Sequence, residues 1–361
     1  MSRIVLAMSG GVDSSVAAWL LREEGHEVLG VFMRHGQEAK IACTTQTKAL
    51  RKQGCCSAAD AADARRVADM LGVPFYVLNF EREFAQIVDY FVAQYSTGRT
   101  PNPCIVCNTW LKFGKLFEYA DSVGAGYVAT GHYARLERLD DGQIALCRGR
   151  DESKDQSYVL FGIRREHLGR LQFPLGDHRK DEIRRIAADL SLRVAEKRDS
   201  QEICFIPDQD HAGFIRRRMG YVDTSGEIVT MDGKVVGRHS GVEQFTIGQR
   251  KGLHVAFGQP RYVVRIEPET RRVIIGEREE LARSELTAIG VNWLVGEEVW
   301  GRRLRCHVKI RYRSRAIPAT VEAIGSDRFQ VRFDEPCYGI APGQAAVYYQ
   351  ADRILGGGWI E

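Results

Sequence analysis

The chain has 361 residues with 44% hydrophobic and 27% charged side chains, the balance of an ordinary soluble globular protein, and a length for two or three domains. No run approaches the ~20 apolar residues of a membrane-spanning helix, and the first residues lead straight into a motif, which predicts a cytosolic protein without a signal peptide. A formal charge of +4 is compatible with a polyanionic partner, and nine dispersed cysteines argue against a secreted disulfide scaffold.

The first part alternates strands and helices. Arg3–Ala7 reads as a short apolar strand, and Ser14–Glu24 has helical apolar spacing (Val16, Ala17, Leu20, Leu21) with Gly25 as its stop. A strand over Glu27–Met33, a helix over Ala58–Leu71 and a strand over Val73–Asn79 follow. Helices over Glu83–Tyr95 and Trp110–Val123 and a strand over Tyr127–Thr130 complete the run. Such alternation predicts a parallel sheet covered on both faces, with ligands beyond the carboxyl ends of its strands. The polar stretch Arg34–Cys56 is long for a loop, and loops of that length are usually functional or mobile.

After about residue 210 short β-like runs take over: Tyr262–Ile266, Arg272–Ile275, Arg305–Arg311, Phe329–Phe333 and Ala345–Tyr349. The expected architecture is an α/β domain over 1–209, a small mixed module over 210–284 and a β-barrel or sandwich over 285–361.

Ser9-Gly-Gly-Val-Asp-Ser-Ser15 lies directly between the first strand and the first helix. Two glycines bring backbone N–H groups close to an anion, the helix adds its positive end, and the serines add hydroxyl donors. No Gly-Lys-Ser/Thr follows, so this is not a Walker loop. The string resembles the pyrophosphate loop of the N-type ATP pyrophosphatases, which cleave ATP between the α and β phosphates and leave an adenylate on the substrate. A second element, Ala129-Thr-Gly-His-Tyr133, ends the last parallel strand, where Gly131 and His132 would share the same rim.

Two cysteine segments stand out. Thr100-Pro-Asn-Pro-Cys-Ile-Val-Cys-Asn108 reads as a rigid turn that presents Cys104 and Cys107. A lone C-x-x-C leaves three readings open: half a zinc site, a redox pair, or part of an iron–sulfur site. The second segment is Asp199-Ser-Gln-Glu-Ile-Cys-Phe205, where Cys204 is either a core cysteine or a reactive one. Cys55 and Cys56 remain unassigned.

These motifs occur together with Lys154-Asp-Gln-Ser-Tyr158, Gly248-Gln-Arg-Lys-Gly-Leu253, Lys309-Ile-Arg-Tyr-Arg313 and Ala341-Pro-Gly-Gln344. In this order, across essentially the whole chain, they resemble the bacterial tRNA-uridine 2-sulfurtransferases of the MnmA type. The resemblance implies a monomeric cytoplasmic enzyme that uses ATP with Mg²⁺ to install 2-thiouridine at the anticodon wobble position of tRNA. Ala7, Met8, Ser9, Gly10, Gly11, Val12, Asp13, Ser14, Met33 and Gly131 would bind ATP. Cys204 would carry a persulfide from a cysteine desulfurase or sulfur relay protein. Cys107 would release the sulfur, leaving a Cys107–Cys204 disulfide; direct attack by the persulfide is the other route. Several family members carry Asp where this chain has Cys104. With Cys104, Cys107 and Cys204 together, an iron–sulfur cluster becomes a second expectation.

For tRNA, the resemblance implies contacts from Asn102, Pro103, Cys104, His132, Lys154, Asp155, Gln156, Arg311, Tyr312 and Gln344. Arg216-Arg-Arg218, Arg302-Arg303 and Lys309–Arg315 add positive charge along the second half. Rival readings are another adenylating enzyme of the same ATP group, amide-forming or tRNA-modifying, and a non-catalytic RNA-binding protein. The first would have no use for the cysteine pair.

Overall fold

A computed structural model describes residues 1–36, 57–199, 203–206, 208–220, 222–296, 303–325 and 327–361. The chain divides into two compact units: Met1–Ile87 with Cys104–Gln209, and Val88–Pro103 with Asp210–Glu361.

In the first unit, β1 (Arg3–Ala7), α1 (Val12–Glu23), β2 (Glu27–Arg34), α2 (Ala58–Leu71) and β3 (Phe75–Asn79) follow one another in alternation. The helix α3 (Glu81–Ser96) carries the chain across the division between the units. The return is also helical: α4 (Pro103–Val106), a π-helix over Cys107–Lys115 and α5 (Leu116–Ser122) lead to β4 (Tyr127–Thr130). A hairpin of β5 (Ala134–Arg138) and β6 (Ile144–Arg148), the short β7 (Leu171–Gln172) and α6 (Lys180–Asp189) complete the unit.

The sheet is wholly parallel in the order β3-β2-β1-β4-β7. Ile4, Val5 and Leu6 are fully buried, as the central strand of a sheet covered on both faces requires. Chain order reverses at β1: β2 and β3 lie on one side, β4 and β7 on the other. That is the switch point where a crevice opens beyond the strand ends. The register sets Ala7 level with Val31 and with Thr130, so all three strands end at one rim. Opposite the rim loop, α2 begins with a capping box, in which Ser57 Oγ accepts from Asp60 N (3.2 Å) and Asp60 Oδ2 accepts from Ser57 N (3.0 Å).

One expectation is corrected here. The segment Thr100–Asn108 is not a turn throughout: the helix starts at Pro103, so Cys104 and Cys107 are helical residues one turn apart. Proline at the first helical position loses no hydrogen bond, because its missing N–H has no partner there in any case.

The second unit opens with α7 (His211–Met219) and a four-stranded sheet of β8 (Gly226–Thr230), β9 (Val235–His239), β10 (Tyr262–Glu267) and β11 (Arg272–Gly276), in the order β10-β11-β8-β9. Ile228, Phe245, Val263 and Ile275 centre its core. Six antiparallel strands follow: β12 (Ala282–Trp293), β13 (Arg303–Lys309), β14 (Ile317–Ala323), β15 (Arg328–Tyr338), β16 (Ala345–Gln350) and β17 (Arg353–Ile360). Their order is β12-β15-β14-β13-β16-β17, and β12 pairs with β17 to close a barrel. Along β15, Phe329, Val331 and Phe333 point inward at every second residue, the period of a one-sided strand. Phe329 sits 4.8 Å from the Trp293 ring and 5.4 Å from Tyr348, both edge-on.

The expected α/β domain, mixed central module and C-terminal barrel are all present. Because Phe329 is fully buried at the centre of the barrel, Phe329→Ala should cost about 3–5 kcal/mol. Denaturant unfolding followed by tryptophan fluorescence checks this; a midpoint shifted by less than a surface substitution would shift it contradicts the packing described.

Candidate active site

The loop between β1 and α1 lies at the switch point. Met8 N donates to Val31 O (2.8 Å), which fixes the loop to the end of β2. Gly10 has φ +71°, and a β-carbon there would lie 2.1 Å from the Asp60 carbonyl oxygen. Across the loop, a β-carbon on Gly131 would meet the Asp13 carbonyl carbon and Ser14 N at 3.0 Å each. The loop is therefore clamped between the first turn of α2 and the end of β4. Gly11 is the N-cap of α1 and has no side chain to cap it. The first-turn N–H groups keep their capacity for an anion. Ser14 Oγ receives Ser9 N (3.1 Å) and lies 3.3 Å from Ser9 Oγ, which places both hydroxyls on the loop. Of the residues expected to bind ATP, Ala7 and Met33 stand near the ends of β1 and β2, Val12 and Asp13 begin α1, and Gly131 follows β4. The structure brings the whole set to one rim.

A network of charges surrounds this loop. Lys180 Nζ donates to both carboxylate oxygens of Asp13 (2.7 and 2.8 Å) and lies 2.9 Å from Asp199 Oδ1. Tyr133 OH donates to Asp13 Oδ1 (2.8 Å). Asp199 also takes Lys154 Nζ (2.7 Å) and Arg184 (2.8 Å). Lys197 Nζ donates to Gly10 O (2.8 Å), Asp60 (2.7 Å) and Asp63 (2.9 Å). Burial by itself would raise the Asp199 carboxyl, but hydrogen bonds from Lys154 and Lys180 and their charges outweigh it and bring it down to about 2. Tyr133 is raised, by burial first and then by the negative charge of Asp13.

His132 is buried, and its Nδ1 lies 2.7 Å from Thr130 Oγ1. Burial, and then the charge of Lys112, hold it well below the usual imidazole range, so it is neutral at physiological pH. Asp155 is buried, and its carboxylate accepts from Gly149 N, Ser157 N and Ser157 Oγ. Gln156 exchanges hydrogen bonds with the Tyr133 backbone, its Oε1 accepting from Tyr133 N (3.0 Å) and its N donating to Tyr133 O (2.9 Å). Gln156 is thus tied to the segment that follows β4, and Lys154 to Asp199.

Cys104 is exposed, while Cys107 and Cys204 are half-buried, all three in the first unit. Cys107 opens the π-helix, a widened helical turn of the kind often found at functional sites. Beside Cys204, Phe205 packs edge-on against Phe84 (5.7 Å), which stacks on His35 (3.8 Å). Among the described residues no three His, Cys, Asp or Glu side chains converge to hold a metal ion. Cys104, Cys107 and Cys204 thus form no such group among the described residues. Cys55 and Cys56 lie outside the described residues.

The expected RNA contacts of the second unit are engaged within that unit. Gln344 is buried and donates to Thr100 O (2.9 Å), which holds the strand of chain carrying Asn102 and Pro103. Arg311 donates to Ile247 O (2.7 Å) and Gly339 O (2.8 Å). Lys309 is buried with its ammonium 5.9 Å from the Tyr312 ring. Arg216 pairs with the buried Glu243 and Arg218 with Asp89. Arg303 pairs with Glu322, while Arg302 lies outside the described residues.

Comparison with known proteins matches three domain families along the chain: a tRNA methyl transferase HUP domain over residues 2–208, a tRNA methyl transferase PRC-barrel domain over 212–277, and an aminomethyltransferase beta-barrel domain over 283–360. The tRNA-specific 2-thiouridylase MnmA of Rhodopirellula baltica is 52% identical, with 100% of this chain and 96% of that one covered. The protein of the same name from Geobacter metallireducens is 49% identical, covering 99% and 96%. That from Carboxydothermus hydrogenoformans is 47% identical, covering 99% and 97%. The chain belongs to the tRNA-specific 2-thiouridylase family.

Within this 2-thiouridylase framework, Tyr133, Lys180 and Lys197 are site residues that sequence reasoning missed. Each reaches the loop from a distant segment, and a lone lysine at a helix start carries no sequence signal. Asp199 was read only as part of the cysteine motif, yet it is the hub of the charge network. Its carboxyl is depressed in the folded state, so its stabilisation is present above about pH 4 and is lost as pH falls through about 2. Asp199→Asn should therefore lower stability by about 1–2 kcal/mol at pH 7, after allowance for solvent screening. The gap to wild type should close between about pH 4 and 2. Denaturant titrations at both ends of that range test it, and a gap constant with pH would show that shape, not charge, is what Asp199 contributes.

Proposed function

We propose that the protein catalyses ATP-dependent 2-thiolation of uridine at wobble position 34 of tRNA. The carrying observation is an anion-receiving loop at the switch point of the same unit that holds accessible Cys104, Cys107 and Cys204. Membership of the 2-thiouridylase family supports the reading. Methyl or aminomethyl transfer, named in the descriptions of all three matching domain families, would use neither an adenylating loop nor a pair of reachable thiols.

The C2 oxygen of uracil is a poor leaving group. In the proposed reaction it attacks the α-phosphorus of Mg²⁺-ATP, pyrophosphate departs, and AMP becomes the group to be displaced. Ser9, Gly10, Gly11, Ser14 and the first-turn N–H groups of α1 receive the phosphates. Ala7, Met8, Val12, Met33 and Gly131 shape the rest of the nucleotide site. Sulfur arrives as a persulfide on Cys204, delivered by a cysteine desulfurase or a sulfur relay protein. The Cys107 thiolate attacks the inner sulfur, forming a Cys107–Cys204 disulfide and releasing hydrosulfide. Hydrosulfide adds to C2 and expels AMP, and a dithiol reductant restores the two thiols. Cys104, one helical turn from Cys107, faces the same chemistry.

In this reading residues 1–209 form the catalytic domain, 210–284 a central tRNA-binding domain and 285–361 a barrel that grips the stem. Asn102 and Pro103 line the flipped base, which must leave the stack to react, and His132 is a further tRNA contact. Lys154, Asp155, Gln156, Arg311, Tyr312 and Gln344 hold the anticodon loop, by contact or by shaping the segments that touch it. The enzyme works as a cytoplasmic monomer.

The test is thiolation of unmodified tRNA for Glu, Gln or Lys with Mg²⁺-ATP and a persulfide source, read by mass spectrometry of nucleosides. ATP-dependent 2-thiouridine at position 34 is the expected product. Cys107→Ala and Cys204→Ala should each abolish it while leaving tRNA binding nearly intact; wild-type turnover in Cys107→Ala would refute the disulfide route. Affinity for tRNA should fall steeply with salt as phosphate contacts release counterions, and a flat response would rule out a large RNA footprint.

A further inference from the structure

Asn108 stands next to a thiol of the reaction laid out above, and that reaction leaves it without a task. It is only 3% exposed, in the first turn of the π-helix that Cys107 opens. Its Nδ2 donates to Val159 O (3.1 Å), in the 3₁₀ turn Ser157–Leu160. Among the described residues its Oδ1 meets no hydrogen-bond donor. Thr109 follows on the same turn. Its Oγ1 donates to Ile105 O (3.0 Å), the carbonyl that an α-helical turn would give to the Thr109 N–H. From the facing segment, a β-carbon on Gly162 would lie 2.2 Å from that hydroxyl oxygen.

Packing alone does not call for an amide here. Leu111 and Phe113 of the π-helix are buried, so hydrocarbon already holds the helix on the core. Leucine has nearly the shape of asparagine and would leave no buried acceptor unpaired, as Asn108 does. Apolar contact is non-directional and tolerates a helix turning about its axis, whereas a hydrogen bond beside Cys107 does not. The acceptor is itself fixed. Gln156, at the head of the 3₁₀ turn, exchanges hydrogen bonds with the Tyr133 backbone, and Tyr133 OH donates to Asp13 beside the nucleotide loop. Asn108 thus joins the thiol helix to a segment registered on the nucleotide site.

We infer that Asn108 is a positioning residue for Cys107, locking the wide turn in the register from which the thiolate meets the Cys204 persulfide. The inference rests on the disulfide route proposed above. In that step a bond forms between Cys107 Sγ and Cys204 Sγ, the bond from Cys204 Sγ to the outer sulfur breaks, and the electron pair leaves on hydrosulfide. Displacement at sulfur runs in line, so the attacking and leaving atoms must stand on opposite sides of Cys204 Sγ. A thiolate turned away by about an ångström still reacts with a freely diffusing reagent but loses this reaction. The amide is uncharged, and its task is the aim of the thiol.

The test separates aim from reactivity. Full-length wild type and Asn108→Leu are mixed with polysulfide as the persulfide source, and formation of the Cys107–Cys204 disulfide is timed by peptide mass spectrometry. Loading of Cys204 alone is timed in the Cys107→Ala background, with and without Asn108→Leu. In the unloaded proteins, alkylation of Cys107 by iodoacetamide is measured against pH, with tRNA binding and thermal unfolding as checks. In Asn108→Leu the disulfide should form about ten- to a hundredfold more slowly. Loading, tRNA affinity and the pH profile of Cys107 alkylation should hold. Disulfide formation at the wild-type rate overturns the inference, as does alkylation slowed by the same factor, since reactivity and not aim would then be lost. If Asn108→Leu does not fold, Asn108→Ser decides by the same outcomes, because its hydroxyl is too short to reach Val159 O. A wild type that loads sulfur yet never forms the disulfide sinks the route itself, a failure distinct from that of Asn108.

Discussion

Backbone amides can face an anion only where no side chain stands between them and it, and the first unit is organised around that constraint. Gly10 lies against the Asp60 carbonyl at a separation that leaves room for hydrogen and nothing larger, and Gly131 packs tightly against the start of α1. Because the loop is gripped from both sides, α1 leaves it in one direction, and its uncapped first turn faces the crevice between β1 and β4. Lys197 adds a third hold through the Gly10 carbonyl. The capping box of Ser57 and Asp60 is part of the same device, since it fixes the turn of α2 against which Gly10 rests. Shifting any of these segments by an ångström would turn the donors away from a phosphate.

The charge network extends this hold to the sulfur segment. Asp199 begins the stretch that carries Cys204, and it is tied to the nucleotide loop through Lys180 and Asp13. At the other end of the stretch, Phe205 rests on Phe84, which stacks on His35 just beyond β2. Asp199 and Phe205 thus each lead to the carboxyl end of a different strand. Cys204 itself is half-buried.

What was legible in the sequence was local. The apolar run Ile4–Leu6, the paired glycines, the helix ending at Gly72 and the short strands of the second half each carry their signal within a few residues, and the structure places them as expected. The network of Asp13, Tyr133, Lys180 and Asp199 was not legible, because its members come from four segments that only the fold unites. The helix through Cys104 was misread for a related reason. Proline reads as a breaker in the chain, yet at a first helical position it is a starter. Charge runs misled in another way: Arg216-Arg-Arg218 counts three cations, but the count says nothing of Glu243 and Asp89, on which two of them are spent.

The cysteines show how burial sorts one residue type into two kinds of chemistry. Cys147, Cys306 and Cys337 are buried, and burial pushes the Cys306 thiol up to about 12 and Cys337 up to about 11. At neutral pH these two stay protonated, and a protonated thiol is neither a sulfur acceptor nor a nucleophile. The cysteines of the two motifs are exposed or half-buried. In the proposed route a sulfur carrier must be reached twice, by the protein that loads it and by the thiol that discharges it, so it cannot sit in a core. The nucleotide half of the chemistry has the opposite need, since donors aimed at a developing charge work best when they do not reorganise. One unit combines a loop clamped between backbones with motif cysteines that stay exposed or half-buried.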